Sequence, residues 1–134
     1  MRLTFFDSFE FGIPEIDQGH RRIFYLFNEI GNCLDGGNFD SALRQVIHLI
    51  AVERVHVRFE TGILEQLAYD KVEQHTEYHT ALYNSLNNIM TALGDQNPVA
   101  AERYYADLYE NIIDDILVAD LPFKSLMQDR LLNR

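Results

Sequence analysis

Apolar residues recur at three- and four-residue intervals along nearly the whole chain, and little interrupts that rhythm. Three prolines and seven glycines in 134 residues are the main candidate breakers, and they are clustered rather than scattered, as at Gly36-Gly37. No segment sustains the strict alternation of a half-buried strand. The chain is therefore constrained to helices, and the fold class predicted is all-α.

The pattern divides into six parts. Residues 1–17 read as an irregular arm whose Phe5, Phe6, Phe9 and Phe11 are expected to lie across the apolar surface that follows. A first helix is predicted from about Asp17 to Gly36-Gly37, with the stripe Ile23, Phe24, Phe27, Ile30 and Leu34 and with His20 at its start. A second runs from Asn38 or Asp40 to about Leu67, with Leu49, Val52, His56, Phe59, Ile63 and Leu67 inward and Glu60 adjoining. Asp70 and Glu73 form a capping-box pattern for a third helix, which carries His75, His79, Leu82, Leu86, Ile89 and Leu93 and stops at Gly94. Asn97-Pro98 signals the start of a fourth, expected to run to about Leu121. Pro122 is expected to break it before a short amphipathic tail with Phe123, Leu126 and Leu131. Long helices joined by short turns favour an up-down-up-down four-helix bundle. The reading is a single domain over 1–134: arm 1–17, bundle 18–121, and a C-terminal helix or connector at 122–134.

Composition removes several functions. The net charge is −10, with 21 acidic against 11 basic residues, which disfavours nucleic acid and anionic membranes as partners. Cys33 is a single cysteine, which suits a reducing compartment. The N-terminal MRLTFFDSFEFG is too polar for a signal peptide, and no apolar run has membrane-spanning length. A cytoplasmic location is expected.

Against that background the inward stripes contain the wrong residues. His20, His56, Glu60, His75, His79, Asp115 and Asp120 all fall on apolar faces, one or two from each helix, and they include four of the five histidines. The pairs His56/Glu60 and His75/His79 are spaced i, i+4, so both members of each project from one face. One buried histidine with a hydrogen-bonding neighbour would be ordinary; such a set on four helices needs something central to satisfy it. His48 has no partner at ligand spacing and is read as structural. The segment HTEYH lacks the Glu that a zinc-protease HExxH requires, and Glu77 points off the ligand face. Imidazole and carboxylate without thiolate suit iron, manganese or zinc, and seven candidates exceed one tetrahedral site. They fit two ions bridged by carboxylates.

Taken together, these elements resemble the hemerythrin family of non-heme di-iron oxygen-binding proteins, over nearly the whole chain. FEFGIPEIDQGHRRIF is similar to the family's arm and first ligand helix, HVRFE to its His-x-x-x-Glu element, and LAYDKVEQHTEYH to its tyrosine-turn-HxxxH element. DILVADLPFK resembles the last element, in which a His precedes an Asp by five residues. The resemblance implies two iron ions, oxo- or hydroxo-bridged: one held by His20 and His56, the other by His75, His79 and residue 115, with Glu60 and Asp120 bridging. Ile112 and Ile116 would line the O2 pocket. Gly19 stands where the family commonly has Gln, Val57 and Thr61 replace a Phe and a second Glu, and an early Trp is missing. These read as packing changes.

Position 115 is different in kind, because the family has His there and this chain has Asp. Helical phase puts Asp115 inward with Leu108, Ile112, Ile116 and Ala119, while Asp107, Asn111 and Asp114 face water. An aspartate is shorter than a histidine, so it either holds a water at the second ion or ligates it directly after a backbone shift. Both outcomes predict a site that oxidises readily. The expected function is therefore an O2- or redox-sensing di-iron domain rather than an enzyme, binding O2 or a small diatomic or anionic ligand. A free-standing O2 carrier or store is the alternative, followed by a di-iron oxidase or peroxidase and by a metal-free structural bundle. Bacterial members of the family often precede signalling output domains, and the tail SLMQDRLLNR is read either as a connector to one or as a docking helix.

Overall fold

The computed structural model describes residues 1–129, and the regular structure among them is entirely helical. Four long helices, α1 (Pro14–Asp35), α2 (Phe39–Gln66), α3 (Val72–Gly94) and α4 (Pro98–Asp114), pack against one another. A π-helical segment (Asp115–Asp120) continues α4 and leads into a short α5 (Leu121–Met127). None of these helices is long and apolar enough to cross a membrane.

The apolar stripes build two clusters. The larger includes Phe27, Ile30, Leu49, Leu86, Ile89 and Leu108; the smaller gathers Phe11, Ile13, Ile16, Leu64, Leu67 and Met127. On every helix the polar inward residues fall between contributors to the two. In α1 the order is Ile16, His20, Ile23, and in α2 it is Val52, His56, Glu60, Leu64. The polar layer is thus closed off at both ends by hydrocarbon.

The arm lies over α1 as its aromatics suggest, with Phe5 edge-on to Phe24 at 5.4 Å and Phe11 fully buried against the His20 ring. Phe6 is exposed. Helix α1 begins at Pro14, three residues earlier than expected, because Ile13 and Pro14 can open it without a side-chain cap. Asp17 therefore lies inside the first turn, where its buried carboxylate accepts from the backbone N–H of Phe11 (2.7 Å) and of Gly12 (3.0 Å). One residue fastens the arm to the helix. Further along, Tyr105 stacks on Phe27 and donates to the Phe27 carbonyl at 2.7 Å. A Cβ at Gly31 would stand 2.3 Å from that hydroxyl, so α1 and α4 need a glycine there.

Three local expectations change. The buried line of α2 passes through Glu53, His56, Glu60 and Leu64, which leaves Phe59 39% exposed. The capping box at Asp70 does not form: the turn after α2 uses one residue more, and Lys71 is the N-cap without a side-chain bond. Pro122 does not break the chain but sits in the first turn of α5. The widened turn before it, where Leu121 N–H bonds to Ile116 C=O five residues back, accommodates a residue that has no N–H to give. At α4 the expected cap is present, Asn97 accepting from Ala100 N–H at 3.2 Å. Leu131, the side chain of Phe123 and the end of the tail lie outside the described residues.

Asp17→Ala would leave two N–H groups at the arm's base without acceptors. A loss of about 2–4 kcal/mol of unfolding free energy is expected in urea melts, with faster proteolysis of the arm.

Candidate metal centre

The helical spacing brings all seven predicted residues together, each at most 4% exposed. In one group, His20 Nε2 stands 2.9 Å from Asp120 Oδ2 and 3.7 Å from Glu60 Oε2, and His56 Nε2 is 2.7 Å from that same Glu60 oxygen. In a second, His75 Nε2 is 2.7 Å from His79 Nε2, 2.6 Å from Glu60 Oε1 and 3.5 Å from Asp120 Oδ1. Glu60 and Asp120 thus each give one oxygen to either group. Two carboxylates that face both ways are what a pair of ions about 3.5–4 Å apart requires.

The backbone explains how Asp115 and Asp120 can share a face. Five residues along an ideal α-helix turn a side chain by roughly 140° away from the first. The i→i+5 turn from Asp115 to Asp120 is wider and closes that gap, leaving both carboxylates buried.

Asp115 nonetheless belongs to neither four-residue group. Its Oδ1 lies 3.4 Å from His79 Nδ1, on the outer side of that ring, beside Glu53 Oε1 at 3.3 Å. Glu53 is fully buried and is not among the residues that the sequence pattern points to. It precedes His56 by three residues and Glu60 by seven, a spacing that places all three on one face. A stripe drawn through Phe59 and Ile63 is rotated from the true one and leaves Glu53 at its margin. His48 is exposed against Arg22, away from the cluster, and Glu77 is exposed as expected.

Hydrogen bonding within the protein does not satisfy this cluster. Both oxygens of Glu53 and Glu60, both ring nitrogens of His56, and Asp115 Oδ1 and Asp120 Oδ1 are buried without an acceptable hydrogen-bond partner. At two points the approach is as close as 2.6 and 2.7 Å, from the Glu60 oxygens to the rings of His75 and His56, yet neither has the geometry of a hydrogen bond. Buried polar atoms left so cost roughly 1–3 kcal/mol each. Divalent cations at those points would satisfy them, and an all-nitrogen-and-oxygen donor set suits a first-row divalent metal. The residues fit a metal pair.

Electrostatics points the same way. Burial pushes Asp115 up to about 8, with Glu53 and Glu60 adding to it and His79 opposing. Burial, then Asp115 and Glu60, raise Asp120 well above the usual range. Burial alone would lower His79, but Glu53, Glu60 and Asp115 outweigh it and hold the ring at about 11. Glu60 goes the other way: despite burial, the charge of His56 and contacts with His20, His56 and His75 keep it well below the usual value. Asp115, Asp120 and His79 thus favour a bound proton, while Glu60 between them favours its charged form.

Apolar side chains and surface grooves both include neighbours of these groups. Ile112 and Ile116 are buried in the larger core cluster. A groove of about 460 Å³ between α1 and α2 has Gly19 and His56 on its lining, and a cleft of about 130 Å³ reaches His75. A Cβ at Gly19 would stand 2.3 Å from His56 Nδ1, so the glycine before His20 leaves the space that the His56 ring occupies here. Comparisons with family models, with curated proteins and with solved structures found no match to this chain.

Two outcomes are expected. Gly19→Ala should displace the His56 ring and weaken metal binding by the His20–His56 group on the order of 10–100-fold, read by competition with a chelator. The second concerns the metal-free protein. Asp115 and His79 have folded pKa values above their ordinary 3.8 and 6.5, so the folded chain holds extra protons. Their stabilising contribution is full below the ordinary values and is lost as pH rises through about 8 and about 11. The melting temperature of metal-free protein should fall from about pH 5 to about pH 9, and Asp115→Asn should flatten the lower half of that slope. Metal-loaded protein should resist the fall, because ions replace the protons.

Proposed function

We propose that this chain is a dinuclear non-heme iron protein of the hemerythrin type, acting as an O2 or redox sensor. The observation that carries this reading is the pair of buried four-residue groups sharing Glu60 and Asp120. In the proposed fold the four helices alternate up and down. The order of the two apolar clusters supports that topology: it runs from smaller to larger along α1 and α3 and from larger to smaller along α2 and α4–α5.

In this reading His20 and His56 hold one iron, His75 and His79 the other, and Glu60 and Asp120 bridge them. The metal pair supplies reversible electron transfer and binding of a small ligand. The protein's own part is to exclude water and to set donor strength. Ile112 and Ile116 form the apolar wall, and the Gly19 groove is the approach for a molecule as small as O2. With Asp115 on the outer side of His79, the second group has two histidines where the carriers have three. Carboxylates at His79 Nδ1 make that imidazole a stronger donor and favour the oxidised pair. A readily oxidised site reports oxygen better than it carries it. A cytoplasmic sensory module with its output joined at the C-terminal end is the setting that suits this chemistry.

Metal content near two irons per chain is expected, with a visible absorption spectrum in air that is lost on reduction. Asp115→His should slow air oxidation of the reduced protein on the order of tenfold. An unchanged rate would remove the sensor reading, and a long-lived, reversible oxygenated form of the parent protein would replace it with carriage.

A further inference from the structure

Glu53, Asp115 and the outer nitrogen of His79 are not used by the two-ion centre. Their donor atoms lie within 4.8 Å of one another, and all three residues are buried. The simplest role for a carboxylate at the outer nitrogen of a ligand histidine is to accept its N–H. That role needs one acceptor, and a charge-assisted bond of this kind is about 2.7–2.9 Å long. Here two carboxylates approach the same nitrogen, and they stand off at 3.3 and 3.4 Å. Neither oxygen of Glu53 has a hydrogen-bond partner elsewhere, nor does Asp115 Oδ1.

Separations of that size have another meaning. Around an ion with bonds of about 2.1 Å, neighbouring donors stand about 3.0–3.4 Å apart in octahedral or tetrahedral arrangements. Two carboxylates also carry the charge that one divalent cation neutralises, in a place where uncompensated charge is costly. We infer that Glu53, Asp115 and His79 Nδ1 form a third cation position beside the dinuclear pair, taking a first-row divalent ion such as ferrous iron. The ion replaces the proton on His79 Nδ1 and the one that buried Asp115 holds without metal, both of which leave to water, and His79 would then join the third position to the second through its two ring nitrogens. Asp115, too short to complete the second group, has a coordinating role here.

The test is a metal count on the full chain, stripped and then titrated with ferrous iron under argon, with elemental analysis after buffer exchange. Three equivalents are expected for the parent chain and two for Glu53→Gln, whose spectrum after oxidation should remain that of the pair. Should Glu53→Gln fail to fold, Asp115→Asn serves the same purpose, and the count on the parent chain decides by itself. Saturation at two equivalents, or three retained in Glu53→Gln, overturns the third position alone and leaves the pair standing. Saturation at none overturns both.

Discussion

Everything in this fold depends on how Glu60 is held. Its two oxygens face opposite groups, one toward His56 and His20, the other toward His75 and His79. A fully buried carboxylate in that position draws residues of α1, α2 and α3 to a single point. Asp120 does the same from the π-helical segment. The apolar clusters above and below have no such directional demand, and hydrocarbon can repack with modest loss. Oxygen and nitrogen donors around a shared point cannot. The relative rotation of the helices is therefore fixed more tightly by the polar layer than by the more extensive core around it.

How much of this was legible in the sequence follows from the same distinction. Helix existence and the burial of His20, His75, Leu82 and Leu108 come from a period of 3.6, which summation over many residues makes robust. Phase is less robust. A rotation of roughly one-eighth of a turn in α2 separates a stripe through Phe59 from the buried line that contains Glu53. Asp70 was misread because a capping pattern says which residues can cap, not how many residues the preceding turn will use. Pro122 was misread because the rule for proline assumes an α-helical ladder on both sides. Nothing in DILVAD announces a π turn, although two buried acids five residues apart are a reason to look for one.

That π turn joins local structure to chemistry. An α-helical path would turn one of the two aspartates away, and a loop would expose backbone groups in the middle of the protein. A wider helical turn keeps the backbone bonded while presenting both acids. It also delivers the chain to Pro122 in a geometry that proline tolerates, so the backbone distortion and the proline coincide at one point.

The two ends of the centre are built unequally, and the inequality has a consequence. His20 packs its ring against Phe5 and Phe11, and neither His20 Nδ1 nor His56 Nδ1 has a hydrogen-bond partner. His79 Nδ1 has two carboxylates beside it. An imidazole with an anionic neighbour donates more electron density to a bound cation, while an imidazole in an apolar sleeve donates less. Were the pair alone occupied, as in the proposed function, positive charge would be better stabilised at the α3 side than at the α1 side, and the two positions would differ in affinity and in potential. The groove at Gly19 opens on the weaker side. In the proposed function a small molecule entering there would meet the position with the weaker donors first. The two groups thus differ in what stands behind their histidines, aromatic rings at His20 and carboxylates at His79.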